Sequence, residues 1–212
     1  MSLFSFNSKL YDKISQILDC IFLSILWVIS SLPLITIGGS TVALYHSVHK
    51  VIRKEEGRVW PEYWRAFRRD FKRATLLWLL MIVIAAVMIG DCYLAFFVAW
   101  SHSGLQLFMQ IASVFMTISF AIWLQCWLPY LARFEDPIGR ILKNTLIMMS
   151  SHSKTAIYLL FLLLLVVGMD IILSLYVPLL TLFMPVAYVI SLNRVLERLF
   201  SEYIALSEEC TQ

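Results

Sequence analysis

The chain has 212 residues, of which 60% are hydrophobic and 15% charged, with a formal net charge of +3 and a mean hydropathy of +0.80. Soluble globular domains carry about 25% charged residues, so this composition excludes an ordinary soluble protein. It indicates a polytopic membrane protein with room for four or five spans and none for a separate soluble catalytic domain, that is, one membrane domain over 1–212.

Met1 to Gln16 reads as an amphiphilic lead at the interface, with Phe4, Phe6, Leu10 and Tyr11 interleaved with Lys9, Asp12 and Lys13. A first span is expected over about 17–37. It is too long for a signal-peptide core and no small-x-small site follows, so a cleaved leader is not expected. The stretch Leu32 to Tyr45, LPLITIGGSTVALY, is the pivot of the chain. Pro33 and Thr36 close the apolar run, and Gly38 and Gly39 are expected to break the backbone through left-handed angles. Ser40 is placed to cap the next helix. That helix, 41–54, has Leu44, Val48, Val51 and Ile52 on one face and Lys50, Arg53 and Lys54 in its last turn, and Gly57 ends it.

The segment WPEYWRAFRRDFKR predicts a separate surface helix over 60–73, with Pro61 at its first position. Trp60, Trp64, Phe67 and Phe71 recur at helical spacing opposite Arg65, Arg68, Arg69, Lys72 and Arg73. Such a face lies on an anionic membrane or on a partner. A second span follows over 74–99, a short uncharged turn over Ser101 to Gly104, and a third span over 105–132 that closes on Leu128-Pro129. Asp136-Pro137 marks a capped start for an amphipathic helix over 137–150, with Ile138, Ile141, Leu142 and Met149 against Arg140, Lys143 and Asn144. A fourth span is expected over 155–176. A fifth, over 179–200, has about 15 uncharged residues, about 22 Å at helical rise, so Arg194 snorkels or the segment is short or tilted.

The fold class is therefore all-α, a membrane helix bundle of about five spans with amphipathic helices on the cytoplasmic side. Of seventeen Lys and Arg, nine lie between the first two expected spans and four between the third and fourth. The positive-inside rule places these loops and the C-terminus in the cytoplasm of a multi-pass cell-membrane protein, with the N-terminus outside. Leu32-Pro33-Leu34 and Leu128-Pro129-Tyr130 each close a span ahead of an amphipathic helix and a returning span, a topology compatible with duplication.

Asp91 and Asp170 are acids inside the expected spans, both in the outer part of a returning helix. They are candidate functional acids, recognising a proton, an ion or a partner's Arg; the plainer account is hydration near the headgroups or a local hydrogen bond. His46 and His49 share a helix face but lack a third metal ligand. Cys20, Cys92, Cys126 and Cys210 have no paired spacing, so small apolar membrane residues are the simpler account than a Cys20–Cys92 bridge. Glu55-Glu56-Gly57-Arg58 has the wrong spacing for an intramembrane-protease motif. There is no phosphate loop, nucleophile elbow or H-E-x-x-H, so no catalytic residue, cofactor, metal or ATP site of its own is expected. The basic stripe next to a span points to lipid or a partner and away from nucleic acid. Polar side chains within the spans, such as Gln110, Thr117, Ser119 and Gln125, are too few for an evident solute pathway.

Trp27 to Gly38, W-x-x-x-S-L-P-L-I-T-I-G, followed by Thr41 to Tyr45, resembles the YesL family of bacterial integral membrane proteins, which carry a domain of unknown function. Trp64-x-x-Phe67-x-x-x-Phe71-Lys72-x-Ala74-Thr75 and Leu128-Pro129-x-Leu131-Ala132-Arg133-Phe134 through Asn144 resemble its further signatures. Gly38-Gly39 departs from the family's G-P at this point. The resemblance implies an accessory membrane subunit beside the permease of a carbohydrate importer of the ATP-binding-cassette type, in Gram-positive bacteria. It carries over no catalytic residue. The alternatives are a small carrier or channel using Asp91 and Asp170, and a membrane sensor or assembly factor.

Overall fold

Long apolar runs free of glycine and proline propagate a helix once it is nucleated, and this chain is helical almost throughout. The computed structural model describes residues 2–54, 57–98, 103–181 and 183–209, and no strand occurs among them. In chain order come α1 (Ser2–Ser31), a 3-10 turn (Leu34–Thr36), α2 (Ile37–Ser47) continued by a π-helical turn (Val48–Arg53), and α3 (Val59–Phe97). There follow α4 (Ser103–Arg133), α5 (Ile138–Ser151), α6 (Ser153–Tyr176), the single turn α7 (Pro178–Thr181) and α8 (Met184–Glu209). Glu55, Glu56, Ser101 and Cys210 lie outside the described residues, as do the side chains of residues 1–13 of the N-terminal lead. Four helices, α1, α3, α4 and α6, are long and apolar enough to cross a membrane, which makes the fold an all-α membrane helix bundle.

The double glycine does not break the backbone. Gly38 and Gly39 lie inside α2, and neither has positive φ; among the described glycines that conformation belongs to Gly57, at φ 84°. Their role is close approach. A Cβ on Gly38 would stand 2.6 Å from the Ala74 carbonyl oxygen and 2.6 Å from Trp78 Cβ, so only a hydrogen allows α2 to lie this close to α3. Ser40 is likewise interior to the helix, its hydroxyl donating back to the Thr36 carbonyl at 2.9 Å instead of capping. The chain reverses just before, at the 3-10 turn. There the Thr36 hydroxyl bonds the Ser30 and Pro33 carbonyls at 2.6 and 2.7 Å, and Trp78 Nε1 donates to the Leu34 carbonyl at 2.9 Å.

Nor is α2 a surface helix. Gly38, Gly39, Ser40, Val42, Ala43, Leu44, Tyr45 and Ser47 are all buried, because a segment apolar on every side must be enclosed on every side. The expected surface helix 60–73 is continuous with the second span, since nothing between Glu62 and Ile89 interrupts the helix. Its buried stripe is Val59, Tyr63, Ala66, Asp70, Ala74, Leu77 and Met81, at spacings of three or four. Pro61 falls in the first turn, where the missing N–H has no partner to lose. Pro129 is accommodated within α4, which runs on to Arg133. Pro137, with extended ψ of 150°, is the cap position of α5, and Asp136 instead accepts from Tyr130 Oη at 2.9 Å and Arg140 Nη1 at 3.2 Å.

The fifth expected span is replaced by the turn α7 and then α8, which is not among the helices apolar enough to cross. From Met184 to Asn193 α8 has ten uncharged residues, about 15 Å at 1.5 Å each. That is half a hydrocarbon core of about 30 Å. The segment nonetheless returns along the bundle, with Met184 and Pro185 lining a cavity with Asp170, and Asn193 bonded to Arg53.

The core gathers at this loop end, around Leu23, Tyr45, Tyr63, Trp127, Ile141 and Leu196. A stripe about 100° wide buries roughly a quarter of a helix. The most apolar stretches bury less: 17% in α1, 11% in α3, 6% in α4 and 11% in α6. The far ends of α3, α4 and α6 are thus almost entirely exposed aliphatic and aromatic surface.

A hydrogen bond repeats with the proposed duplication. Trp27 Nε1 donates to Thr41 Oγ1 at 3.4 Å, and Trp123 Nε1 donates to Thr145 Oγ1 at 2.9 Å. Each Trp stands six residues before the proline of its Leu-Pro pair, and each Thr lies on the helix after it.

Candidate functional site

Three elements far apart in the chain meet at the loop end: the π turn, the last turn of α4 and the middle of α8. The π turn closes with the Lys54 amide on the His49 carbonyl at 3.2 Å and keeps His49 and Arg53 on the face toward α8. Such turns recur at functional sites. Arg53 Nη1 donates to Asn193 Oδ1 at 3.1 Å and to its carbonyl at 3.3 Å. Glu197, one helical turn on and 8% exposed, has Oε2 3.8 Å from Arg133 Nε and Oε1 3.3 Å from His49 Nδ1. The second approach lacks hydrogen-bond geometry; Glu197 Oε1 and the Tyr45 hydroxyl have no protein hydrogen-bond partner, and His49 and Asn193 lie close enough to influence one another without a contact that meets hydrogen-bond geometry. A buried polar atom left unpaired costs on the order of 1–3 kcal/mol, so this cluster is poorly satisfied by the protein alone.

Beside it lies a cavity of about 260 Å³ lined by His46, His49, Lys50, Lys54, Arg69 and Arg133. Glu135 is the carboxylate among its lining residues, against four permanent cations. Three of these have acids behind them: Lys50 reaches Glu62 at 3.0 Å and Arg69 reaches Asp70 at 2.8 Å, both on α3, and Arg133 lies 3.8 Å from Glu197 on α8. Burial lowers the pKa of His46, and Arg69 lowers it further. His49 is also lowered, first by burial and then by Arg133 and Lys54, against the opposing pull of Glu197. Both imidazoles are therefore biased toward neutrality, and His49–Glu197 is a contact between a neutral ring and a carboxylate. Burial, with Glu197 adding to it, pushes the Tyr45 phenol up and keeps its proton in place.

Tyr45 also lines a second cavity, of about 440 Å³, whose walls include Trp78, Phe120, Leu128, Pro129 and Leu192. Tyr45 thus lines both the polar and the apolar space.

The structure does not bring the two span acids together. Asp91 is half-buried on α3 next to Cys92, whose thiol meets Ser113 of α4 at 3.2 Å. Asp170 is exposed on α6 and lines an apolar cavity of about 500 Å³ with Trp27, Thr41 and Tyr188. Neither acid forms a hydrogen bond or ion pair with another described residue. Trp64, Phe67 and Phe71 are half-buried and meet in series along α3, edge-to-face at a ring distance of 5.4 Å and then tilted at 5.3 Å, while Trp60 is exposed and meets Phe22 of α1 at 6.1 Å. Arg65 and Arg68 are exposed, with Arg65 paired to Glu62 at 2.9 Å. Cys20, Cys92 and Cys126 are free thiols. Among the described residues no three His, Cys, Asp or Glu side chains converge as a metal site would need.

Sequence reasoning missed the joining of Arg53, Arg133, Asn193 and Glu197. The signal was present: Asn193 and Glu197 fall on the same stripe of α8 as Val189, Leu196 and Phe200, where a solvated charge has no reason to be.

These features define a small all-α membrane bundle with a cationic cavity at one end. Residues 20–92 match the family described as "Protein of unknown function, DUF624". That match runs from the middle of α1 to Cys92 on α3, and includes the pivot, the π turn and three cavity cations, Lys50, Lys54 and Arg69. No curated protein and no solved structure matches the chain.

Proposed function

We propose that this chain is a non-enzymatic accessory subunit of the cell membrane, packing against the permease pair of a carbohydrate importer of the ATP-binding-cassette type. The observation that carries this reading is the shallow mutual burial of α3, α4 and α6. Ile82, Val87, Phe108, Phe115, Phe161 and Ile171 stand exposed on faces that suit other membrane helices. The carbohydrate importer itself is drawn from the resemblance to YesL-like proteins. A stand-alone carrier is the weaker reading, because Asp91 and Asp170 sit on helices with different neighbours and the cavity at Asp170 is apolar. The charge distribution supports cytoplasmic loops, and the Arg53–Asn193 bond supports a C-terminal half of α8 on the same side, with the N-terminus outside.

The test is co-purification in mild detergent from cells grown on each sugar whose import is to be assigned. Recovery of permease and ATPase subunits in fixed ratio supports the proposal; a chain that emerges without them under several mild detergents overturns it. Liposomes holding the chain alone should move no sugar, and Asp91→Asn or Asp170→Asn should change nothing there. Sugar flux that depends on either acid would establish the carrier reading instead.

A further inference from the structure

We propose that the cationic cavity between the π turn, the end of α4 and the adjoining part of α3 is a binding site for a phosphate group, carried on a lipid headgroup or on a small soluble phosphate ester. Its lining supplies donors of every kind that phosphate uses: the guanidiniums of Arg69 and Arg133, the ammoniums of Lys50 and Lys54, and the imidazoles of His46 and His49. They come from three elements and so surround a tetrahedral group, where a flat carboxylate would meet only one or two. Tyr45, 2% exposed and with its hydroxyl unpaired, lines the same space and offers a further donor.

At about 260 Å³ the cavity falls just below the usual range for small-molecule pockets. It takes a phosphate with a few attached atoms and excludes an oligosaccharide. Glu135 is placed to accept from a hydroxyl on such an attachment. The apolar cavity that Tyr45 also lines gives an acyl chain a place beside the headgroup.

Protonation follows the same geometry. His46 faces Lys50, Glu62, Arg69 and Asp70, and His49 faces Lys54, Arg133 and Glu197. Burial and cations hold both rings toward the neutral form, and a bound phosphate offsets those cations. Binding should therefore raise the pKa of both rings, while the same cations favour the phosphate dianion, whose second pKa of about 6 lies in the same range.

The experiment uses the purified full chain in detergent with two probes: labelled inorganic phosphate by equilibrium binding, and dioleoyl phosphatidate against dioleoyl phosphatidylcholine by native mass spectrometry. One saturable equivalent is expected. Lys54→Gln, an exposed position that leaves the fold intact, should weaken it roughly tenfold, the worth of one charge-assisted contact. Tyr45→Phe should weaken it severalfold without changing charge. The double variant Arg194→Gln, Arg198→Gln takes two charges from a separate basic groove between α6 and α8 and should leave binding within about twofold. Saturable phosphatidate binding alone assigns a lipid headgroup, and saturable inorganic phosphate binding assigns a soluble ester. The proposal is overturned if neither probe saturates, if Lys54→Gln binds as the parent does, or if the groove variant loses as much as the cavity variant.

Discussion

Replacing Gly38 by alanine tests the role of the pivot most directly. The new Cβ would lie 2.6 Å from the Ala74 carbonyl oxygen and 2.6 Å from Trp78 Cβ. Both neighbours are backbone or the root of a side chain, so rotamer changes cannot relieve the overlap and α2 must move off α3. Overpacking of this kind costs about 1–3 kcal/mol, and the shift also strains the Trp78–Leu34 bond. Alanine regains about 1 kcal/mol of helix propensity over glycine, which offsets the roughly 1 kcal/mol of the loosened hydrogen bond and leaves a net loss of about 1–3 kcal/mol. At Gly39 the balance differs. A Cβ there meets ring atoms of Phe67 and Phe71 at 3.3 Å, and a small tilt of two half-buried rings absorbs a few tenths of an ångström. The propensity gain then roughly cancels the cost. Thermal unfolding in detergent, followed by tryptophan fluorescence, should show Gly38→Ala lowering Tm by about 2–12 °C, at about 2–4 °C per kcal/mol for a chain of this size. Gly39→Ala should stay within about 2 °C of the parent. Equal loss at the two positions, or an unharmed Gly38→Ala, would refute close approach as the reason for the glycines.

Arg133→Gln should destabilise by about 1–3 kcal/mol, because it leaves Glu197 buried without its cation, whereas Glu197→Gln should be neutral or stabilising and should rescue Arg133→Gln in the double variant; chemical denaturation of the three proteins decides. Stability without added phosphate should fall as pH drops from about 7 to 5. His46 and His49 are held below their ordinary pKa in the fold, so the unfolded chain binds more protons in that window. The double variant His46→Gln, His49→Gln should flatten the profile. Trp123→Phe removes a 2.9 Å hydrogen bond to Thr145 and should cost about 0.5–1.5 kcal/mol. Trp27→Phe, whose bond is 3.4 Å long, should cost less in the same thermal assay.

Composition and hydropathy made the class of fold legible, because a helix enclosed by lipid must be apolar along its length whatever its neighbours are. Helix ends were less so. Gly38-Gly39 looks the same in sequence whether it relaxes a turn or admits another helix, and only the position of Ala74 and Trp78 decides between them. The basic run of α3 suggested a helix lying flat on the surface, yet the acids within it, Glu62 and Asp70, are the buried ones. Each is neutralised by a cation from a neighbouring position, Glu62 by Lys50 and Arg65 and Asp70 by Arg69, which a count of charges by face does not reveal. The cavity was legible in part. His46, His49, Lys50 and Lys54 share one segment, while Arg133 reaches them only through a contact 84 positions away in the chain.

The repeat explains where that cavity arises. Both halves run span, Leu-Pro, short helix, returning span, and both fix the short helix with a tryptophan-to-threonine bond. Were the halves equivalent, α2 and α5 would lie alike. Instead α2 is enclosed between α1, α3, α4 and α8, while α5 exposes Arg140, Lys143, Leu146 and Ile147. The difference follows from α8, which has no counterpart in the first half and packs its Val189, Leu192 and Leu196 stripe along the bundle. Enclosing α2 puts its polar end, His46 to Lys54, against the end of α4, and the charges there cannot all face solvent. The π turn and the Arg53–Asn193 bond settle part of that conflict, and the cationic cavity is what they leave unsettled.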